Sequence, residues 1–86
     1  MKPKVRLLRF DVLLEVAEVL TEGIKKHGEY GWRTKDPKYY EDKALRHMFK
    51  RQLNKKDESG HDHAIHAIAD LMLMLDIENK KYGTNR

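Results

Sequence analysis

The segment His63-Ala64-Ile65-His66-Ala67-Ile68-Ala69-Asp70-Leu71-Met72-Leu73-Met74-Leu75 decides the fold class, because a helical apolar pattern runs through it. Apolar residues at positions 64, 65, 68, 71, 72 and 75 follow the spacing of a wide helix face. His63, His66 and Asp70 recur at i, i+3 and i+7, so they project from nearly the same side. The segment predicts a helix over residues 61–82, ended by Gly83, whose apolar face suits both a core and a subunit interface.

Two further helices are predicted upstream. The first, over residues 10–27, has apolar residues at i, i+4, i+7 and i+11, namely Leu13, Ala17, Leu20 and Ile24. Leu14 and Val16 widen this stripe, and Gly28 can end the helix. Asp36 followed by Pro37 indicates the start of the second helix, which runs to about residue 54. Its apolar positions are Tyr40, Ala44, Leu45, Met48, Phe49 and Leu53. Nothing alternates at period two for long enough to make a strand, so we predict an all-α, three-helix unit.

Length and composition favour self-association. The 86 residues are expected to form a single domain, residues 1–86. A chain this short buries only about 60% of the surface that its unfolded form exposes. It has no cysteine, which excludes disulfides and a cysteine-based zinc site, and 37% of its residues are charged. We therefore expect a homo-oligomeric helical bundle, a dimer or a tetramer.

The same sequence indicates a cytoplasmic protein with an anionic partner. No apolar stretch approaches the ~20 residues of a membrane span, and no signal-peptide core follows the N-terminus. The net charge is +4, and much of it comes in pairs such as Lys25-Lys26 and Lys50-Arg51. These pairs fit a solvated surface, a nucleic acid or a phosphorylated small ligand. An acidic stripe on the first helix argues against nucleic acid.

Three polar side chains of the third helix and the acidic stripe of the first form one candidate site. His63, His66 and Asp70 can bind a metal ion or contact a phosphorylated ligand. Glu15 and Glu18, with Glu22, stand at i, i+3 and i+7 on the first helix. Carboxylates on one helix that face these groups on another could hold Mg²⁺. The alternatives are ordinary helix residues near an oligomer interface and a solvent-exposed acidic face.

A second group of candidates lies around the turn after the first helix. Lys25, Lys26 and His27 could hold phosphate, and Trp32 or Tyr30 could stack on a base. Trp32 is equally well explained as a hydrophobic cover over a small core. In the second helix, Arg46 and His47 stand among apolar neighbours, so at least one of them is expected to point inward.

Several of these stretches, in this order, resemble one known family. Residues 14–20 are similar to its opening helix, and residues 23–28 with Trp32 are similar to its Gly-Ala-Lys-Lys-Tyr-Gly turn that ends in Asn-Trp. Residues 45–47 match its second helix. Asp57-Glu58-Ser59-Gly60, followed by His63 and His66, matches its Asp-x-Glu-Ser-Gly-x-x-His-x-x-His stretch. The chain thus resembles the dATP/dGTP diphosphohydrolase (N-terminal) domain family of phages and prophages, grouped with the all-α MazG-like nucleotide pyrophosphohydrolases.

The resemblance implies a MazG-like fold and a phage- or prophage-encoded protein that acts in the bacterial cytoplasm. It implies Mg²⁺-dependent cleavage of a purine (deoxy)nucleoside triphosphate to the monophosphate and pyrophosphate. Glu15, Glu18 and Asp70 would be the catalytic and metal-binding residues. The substrate would be bound by eight cationic, imidazole and aromatic side chains: Lys25, Lys26, His27, Trp32, Arg46, His47, His63 and His66.

One departure from the MazG-like pattern leaves a second function open. Where that pattern has Glu-x-x-Asp, this chain reads Ala67-x-x-Asp70, so one carboxylate is missing. The alternative is a non-catalytic sponge that sequesters a cyclic nucleotide used by the host as an immune signal, which is immune evasion of the anti-CBASS type. In either case the partner is a purine nucleotide or a cyclic nucleotide. A membrane is not expected as a partner, and the charge pattern argues against a nucleic acid.

Overall fold

The computed structural model describes residues 1–28 and 31–81, apart from the side chains of Lys80 and Lys81. Its three α-helices are α1 (Phe10–His27), α2 (Pro37–Arg51) and α3 (His63–Lys81), and two short 3-10 helices lie at Val5–Leu7 and Gly31–Thr34. These described residues contain no strand beyond an isolated bridge between Lys56 and Asp62. The predicted all-α, three-helix fold is therefore confirmed.

The helix ends follow from local hydrogen bonds. Gly28 takes a left-handed φ of 77°, and its N–H donates to the Ile24 carbonyl at 2.8 Å, which ends α1 where predicted. The side chain of Asp36 accepts from the Lys38 N–H at 2.9 Å and begins α2. Both α1 and the start of α2 thus agree with the sequence prediction.

The other two predicted helix ends in the described part of the chain made α2 and α3 longer than they are. Helix α2 ends at Arg51, because the N–H groups of Leu53 and Asn54 turn back to the Lys50 carbonyl, each at 3.0 Å. Helix α3 begins at His63, because Asp62 caps it by accepting from the Ala64 N–H at 2.8 Å. The predicted end of α3, Tyr82 and Gly83, lies outside the described residues.

The apolar core is small and is formed by α1 and α3. Val16, Ile65 and Ala69 make its buried cluster, and three partly buried residues of α1 pack against it, namely Val12, Val19 and Leu20. Of the predicted stripe of α1, Val16 and Leu20 belong to this core, whereas Leu13, Leu14, Ala17 and Ile24 are exposed. Apolar residues on α1 fit two neighbouring stripes, and the valine stripe lets α1 approach the small Ala69 closely.

Much of the apolar surface predicted for α2 and α3 is exposed in the single chain. On α2 only Tyr40 and Ala44 of the predicted positions are buried, and Phe49 and Leu53 are 74% and 90% exposed. Ile68, Leu71, Met72 and Leu75 are exposed on α3. These positions belong to the face for which a subunit interface was expected, and self-association stays a prediction.

Helix α3 packs most extensively on α2, and the buried groups between them include polar ones. His63 is only 5% exposed and Asp70 only 7%. Within the described ranges, the helices all lack the combination of length and apolar content that a membrane span needs.

Candidate functional site

The turn between α2 and α3 is a compact structure that presents Asp57. Its N–H donates to the His61 carbonyl at 3.0 Å, and its carbonyl accepts from the Gly60 N–H at 3.0 Å. Gly60 has a φ of 91°, a conformation that residues with a side chain rarely adopt. The Asp57 carboxylate accepts from the Ser59 N–H at 2.8 Å and from the Ser59 hydroxyl. The turn therefore fixes the direction in which this carboxylate points.

Arg51 and Asp62 join the two ends of this turn. The Arg51 guanidinium donates twice to the Asp62 carboxylate, from Nε at 2.7 Å and from Nη2 at 3.0 Å. The Arg51 hydrogen bonds, with the Ala64 N–H, hold the pKa of Asp62 at about 2. This paired geometry fixes the end of α2 against the start of α3.

Four histidines meet where the turn reaches the helices, and we call His47, His61, His63 and His66 the histidine cluster. Nδ1 of His47 and Nδ1 of His63 are 2.9 Å apart. The His47 and His66 rings stack with centroids 4.7 Å apart, and the His61 and His66 centroids are 6.1 Å apart. His66 Nε2 also lies 2.9 Å from the Asp57 carboxylate. The cluster thus spans α2, the turn and α3.

Burial keeps two of these imidazoles neutral. It lowers the pKa of His47 to about 4, with further lowering by His66 and His63. Burial also lowers the pKa of His66, although Asp57 opposes the shift. For Asp57, burial alone would raise the pKa, but the hydrogen bonds from Ser59 more than offset it and the pKa is lowered. At pH 7 His47 and His66 therefore offer neutral imidazole nitrogens beside the ionised carboxylate of Asp57.

Three side chains of this region could hold a metal ion: His47, Asp57 and His63. One ligand atom from each lies within 4.8 Å of the others. His63 is buried, and His47 and Asp57 are half-buried. Sequence reasoning placed His47 and His63 among substrate contacts and missed Asp57, although the Asp57-Glu58-Ser59-Gly60 stretch was part of the family resemblance.

An open groove of about 320 Å³ runs along α2 and reaches the histidine cluster. It is lined by Tyr39, Lys43, Arg46, His47 and Lys50, and we call it the cationic groove. Three of these five side chains carry a positive charge. Since like charges three or four residues apart on a helix repel one another, a bound anion would relieve the repulsion along this stripe.

Asp70 lies behind the cationic groove. Burial raises its pKa to about 6, and the nearby cations Lys43 and Arg46 only partly oppose that shift. Its Oδ2 atom is buried and has no hydrogen-bond partner among the described residues. The carboxylate also contributes, after burial and Tyr39, to raising the pKa of Tyr40. Asp70 therefore faces α2 rather than solvent.

Glu15 and Glu18 approach the histidine cluster from α1. His61 Nδ1 lies 3.2 Å from Glu15 and Nε2 lies 3.6 Å from Glu18. Both carboxylates are about half exposed. Glu22, further along the stripe, pairs with Lys25 at 3.3 Å. The structure thus places Glu15 and Glu18 beside His61, whereas Asp70 has Lys43 and Arg46 as its charged neighbours.

The remaining predicted substrate contacts lie elsewhere. Lys25, Lys26 and His27 are exposed in the last turn of α1. Trp32 is partly buried, and its neighbour Arg33 pairs with Asp76 at 3.2 Å. Asp76 is about 20 Å along α3 from His63 at 1.5 Å per residue. These four residues are therefore near the opposite end of α3 from the histidine cluster, and Tyr30 lies outside the described residues.

Sequence reasoning overlooked most of the cationic groove, although a signal was present. Tyr39, Lys43, Arg46 and Lys50 stand at i, i+4, i+7 and i+11, which is one face of a helix. The second helix was analysed mainly for its apolar positions, so Arg46 and His47 were singled out and Lys50 was considered only as part of a charge pair. A search for charged residues at helical spacing would have found this stripe.

Comparison with known proteins gives one family. The family model described as dATP/dGTP diphosphohydrolase, N-terminal, matches residues 1–86. No curated protein and no solved structure matches the chain. The chain belongs to the dATP/dGTP diphosphohydrolase N-terminal family, as its resemblance predicted.

Proposed function

We propose that this chain, a member of the dATP/dGTP diphosphohydrolase N-terminal family, binds a purine nucleoside triphosphate in the cationic groove and hydrolyses it. The observation that carries the proposal is the groove itself, in which three cations share one helix face with an aromatic ring. In the reaction, a water oxygen bonds to the α-phosphorus and the bond to the bridging oxygen breaks. The products are the monophosphate and pyrophosphate.

The phosphates would lie along Lys43, Arg46 and Lys50. A chain of phosphates carries several negative charges in a row, and these cations follow one another along the helix. Arg46 is exposed and can donate two parallel hydrogen bonds to one phosphate, while the lysines act as point charges. A bound triphosphate would also relieve the repulsion among the three cations. This match of charge supports a phosphorylated ligand.

The base would stack on Tyr39, at the other end of the cationic groove from His47. The Tyr39 ring is exposed, and the Lys35 and Lys43 ammonium groups lie 5.1 and 5.5 Å from its centroid. An exposed aromatic ring beside cations is a suitable surface for a nucleobase next to phosphates. Contacts of the base or phosphates with Trp32, Lys25, Lys26 and His27 stay predictions.

Mg²⁺ would supply the positive charge that polarises the phosphates. It prefers oxygen ligands, and Oδ2 of Asp70 is a buried oxygen with no hydrogen-bond partner among the described residues. Glu15 and Glu18 are half exposed and could add two more oxygens. Glu15, Glu18 and Asp70 stay the proposed Mg²⁺ ligands, although in the free chain Glu15 and Glu18 lie beside His61 and Asp70 lies near Lys43 and Arg46. Alanine at Asp70 is expected to abolish turnover, and retained turnover would rule out its catalytic role.

A second candidate, the non-catalytic sponge, is favoured by the position of Asp70. This carboxylate is buried behind Lys43 and Arg46, and Ala67 stands where a further carboxylate would complete a MazG-like set. A groove lined by cations binds phosphodiesters without a metal ion, so a cyclic oligonucleotide would also suit it. Binding that is stoichiometric and indifferent to EDTA would identify this function.

One experiment distinguishes the two functions. The protein is mixed with dATP, dGTP and cyclic oligonucleotides in the presence of Mg²⁺, and free ligand is measured by chromatography before and after heat denaturation. Conversion of a triphosphate to monophosphate beyond one equivalent per chain establishes the enzyme. A ligand that disappears and returns intact on heating establishes the sponge. If every ligand stays free and unchanged, both functions are wrong.

A matched pair of variants tests the groove as the binding surface. Lys43→Gln together with Arg46→Gln is expected to weaken nucleotide binding by at least tenfold, because two of three phosphate contacts are lost. Lys38→Gln is the control, since Lys38 lies on α2 outside the groove and pairs with Glu41 at 3.8 Å. Equal affinities for the two variants would exclude the groove.

Self-association is a further part of the proposal. The exposed apolar residues of α2 and α3 would be covered in a dimer or tetramer, which a chain with so small a core would need. Light scattering on the purified protein measures this directly. A monomer at micromolar concentration would contradict it.

A further inference from the structure

The three side chains at the junction of α2, the turn and α3 form a compact set of metal-ligating groups. His47 Nδ1 and His63 Nδ1 are 2.9 Å apart, and the chosen ligand atoms of His47, Asp57 and His63 all lie within 4.8 Å of one another. In a tetrahedral site, one ion bound at about 2.0–2.2 Å from each atom requires the longest separation to close to about 3.3–3.6 Å. That is a contraction of about 1.2–1.5 Å, which rotation of the side chains can supply.

The surroundings hold this set in place. Asp57 accepts from the Ser59 N–H at 2.8 Å, and His66 Nε2 lies 2.9 Å from its other carboxylate oxygen. The His66 ring stacks on His47 with centroids 4.7 Å apart. Groups that orient the ligands in this way are typical of metal sites, where they fix both direction and basicity. The carboxylate and one imidazole are thus positioned by a shared neighbour.

We propose that His47, Asp57 and His63 form a resident site for a transition-metal dication such as Zn²⁺ or Mn²⁺. Two imidazoles and one carboxylate suit these ions better than Mg²⁺, which prefers oxygen ligands throughout. The site is distinct from the Mg²⁺ proposed to bind with the nucleotide on Glu15, Glu18 and Asp70. It draws its ligands from α2, the turn and α3, so it also cross-links the three segments.

The position of His47 gives this site a second consequence. His47 both lines the cationic groove and belongs to the metal-ligating set. A metal ion there adds positive charge at the end of the groove where Arg46 and Lys50 would hold phosphates. This step rests on the proposed nucleotide binding, whereas the metal site itself does not.

The site is tested with the metal alone and the full-length chain. After treatment with a chelator and its removal, Zn²⁺ is titrated calorimetrically and Co²⁺ is followed by its visible absorption. We expect one equivalent per chain in the wild type and at least a tenfold weaker affinity in His47→Gln and in Asp57→Asn. His27→Gln is the matched control, because His27 is exposed at the end of α1, and its affinity is expected to equal that of the wild type.

A second measurement needs no variant. Imidazole proton resonances followed by NMR are expected to shift for His47 and His63 at the first equivalent of Zn²⁺, while those of His27 stay in place. Shifts confined to His27, no saturable Zn²⁺ binding, or equal affinity in the wild type and in folded His47→Gln would each overturn the proposal.

Nucleotide binding is measured separately, with Mg²⁺ present and without added Zn²⁺. Zn²⁺ binding without nucleotide binding would support the metal site and contradict the proposed function. Nucleotide binding in a chain that fails the Zn²⁺ titration would do the reverse. If both hold, one equivalent of Zn²⁺ is expected to raise nucleotide affinity at least threefold in the wild type and to leave it unchanged in His47→Gln.

Discussion

The two sides of α3 are built from different chemistry. The side that faces α1, which we call the apolar side, contributes Ile65 and Ala69 to a small cluster with Val16. The side that faces α2, which we call the polar side, buries His63 and Asp70. Burying apolar groups stabilises the folded chain, whereas burying a carboxyl without full pairing costs free energy. The contrast is the one expected where one side of a helix serves stability and the other serves a function, which is the proposal made for the polar side.

The largest expected effect tests the apolar side. Ile65→Ala removes one of the few buried aliphatic side chains, which is 7% exposed, and is expected to cost about 2–4 kcal/mol of the free energy of unfolding. Ile68→Ala is the matched control, since Ile68 is on the same helix and is 38% exposed, and it is expected to cost about 1 kcal/mol. Urea denaturation followed by circular dichroism measures both. Equal losses would show that the small cluster is not the centre of stability.

The next effect tests the polar side and has the opposite sign. Asp70 has a pKa of about 6 in the folded chain, above the value of about 3.9 expected when unfolded. Between about pH 4 and pH 6 the folded state therefore binds more protons than the unfolded state does. The free energy of unfolding falls as the pH rises through this range. Asp70→Asn is expected to be about 1–3 kcal/mol more stable than the wild type at pH 8, with no gain at pH 4.

The control for this prediction is Asp42→Asn, an exposed carboxylate of α2. Its substitution is expected to change the free energy of unfolding by less than about 0.5 kcal/mol. Urea titrations of both variants at pH 4 and pH 8 make the comparison. If Asp70→Asn is less stable than the wild type at pH 8, then the carboxylate is well paired and its burial does not destabilise the folded chain.

A smaller loss of stability is expected from a substitution in the turn that joins α2 to α3. Asp62→Ala removes both the cap of α3 and the double hydrogen bond with Arg51, and is expected to cost about 1–2 kcal/mol at pH 7. The folded pKa of Asp62 is about 2, below the unfolded value, so its contribution is present above about pH 4 and is lost as the pH falls toward 2. Thermal melts at pH 7 and pH 2.5 test this, and a difference that does not shrink in acid would contradict it.

The smallest effect belongs to neither side of α3. Asp36→Ala removes the exposed side chain that caps α2, and is expected to lower the free energy of unfolding by about 0.5–1 kcal/mol. Asp36→Ser keeps a capping oxygen and is expected to restore most of the loss. A thermal melt of each variant gives the scale of a purely local contribution, against which the two sides can be compared. A cost above that of Ile65→Ala would reverse the proposed ranking.

The sequence predicted the helices well because their signals are local. Gly28 and the Asp36-Pro37 pair identify the end of α1 and the start of α2 without any knowledge of packing. The buried face of α1 was predicted only in part, at Val16 and Leu20, because apolar residues occupy two adjacent stripes and packing against Ile65 and Ala69 decides which one is buried. Which stripe is buried depends on a neighbour that is distant in sequence.

The candidate site was predicted in part for a similar reason. The spacing of His63, His66 and Asp70 correctly placed them toward one side of α3. Their partners are not local: His63 meets His47, and His66 meets Asp57, because the turn brings α2 back against α3. The groove on α2 was within reach of pattern analysis, whereas the direction of the Asp57 carboxylate depends on hydrogen bonds within the turn.

The contact between Tyr40 and Trp32 has a practical consequence for kinetics. The Tyr40 hydroxyl donates to the Trp32 carbonyl at 3.3 Å, and the Arg33 guanidinium lies 4.8 Å from the Trp32 ring centroid. Trp32 is the only tryptophan in the chain. Its fluorescence is therefore a built-in optical probe of the start of α2, where its carbonyl binds Tyr40, the residue that follows Tyr39. A stopped-flow trace of that emission would time the arrival of a base at Tyr39 without any attached dye.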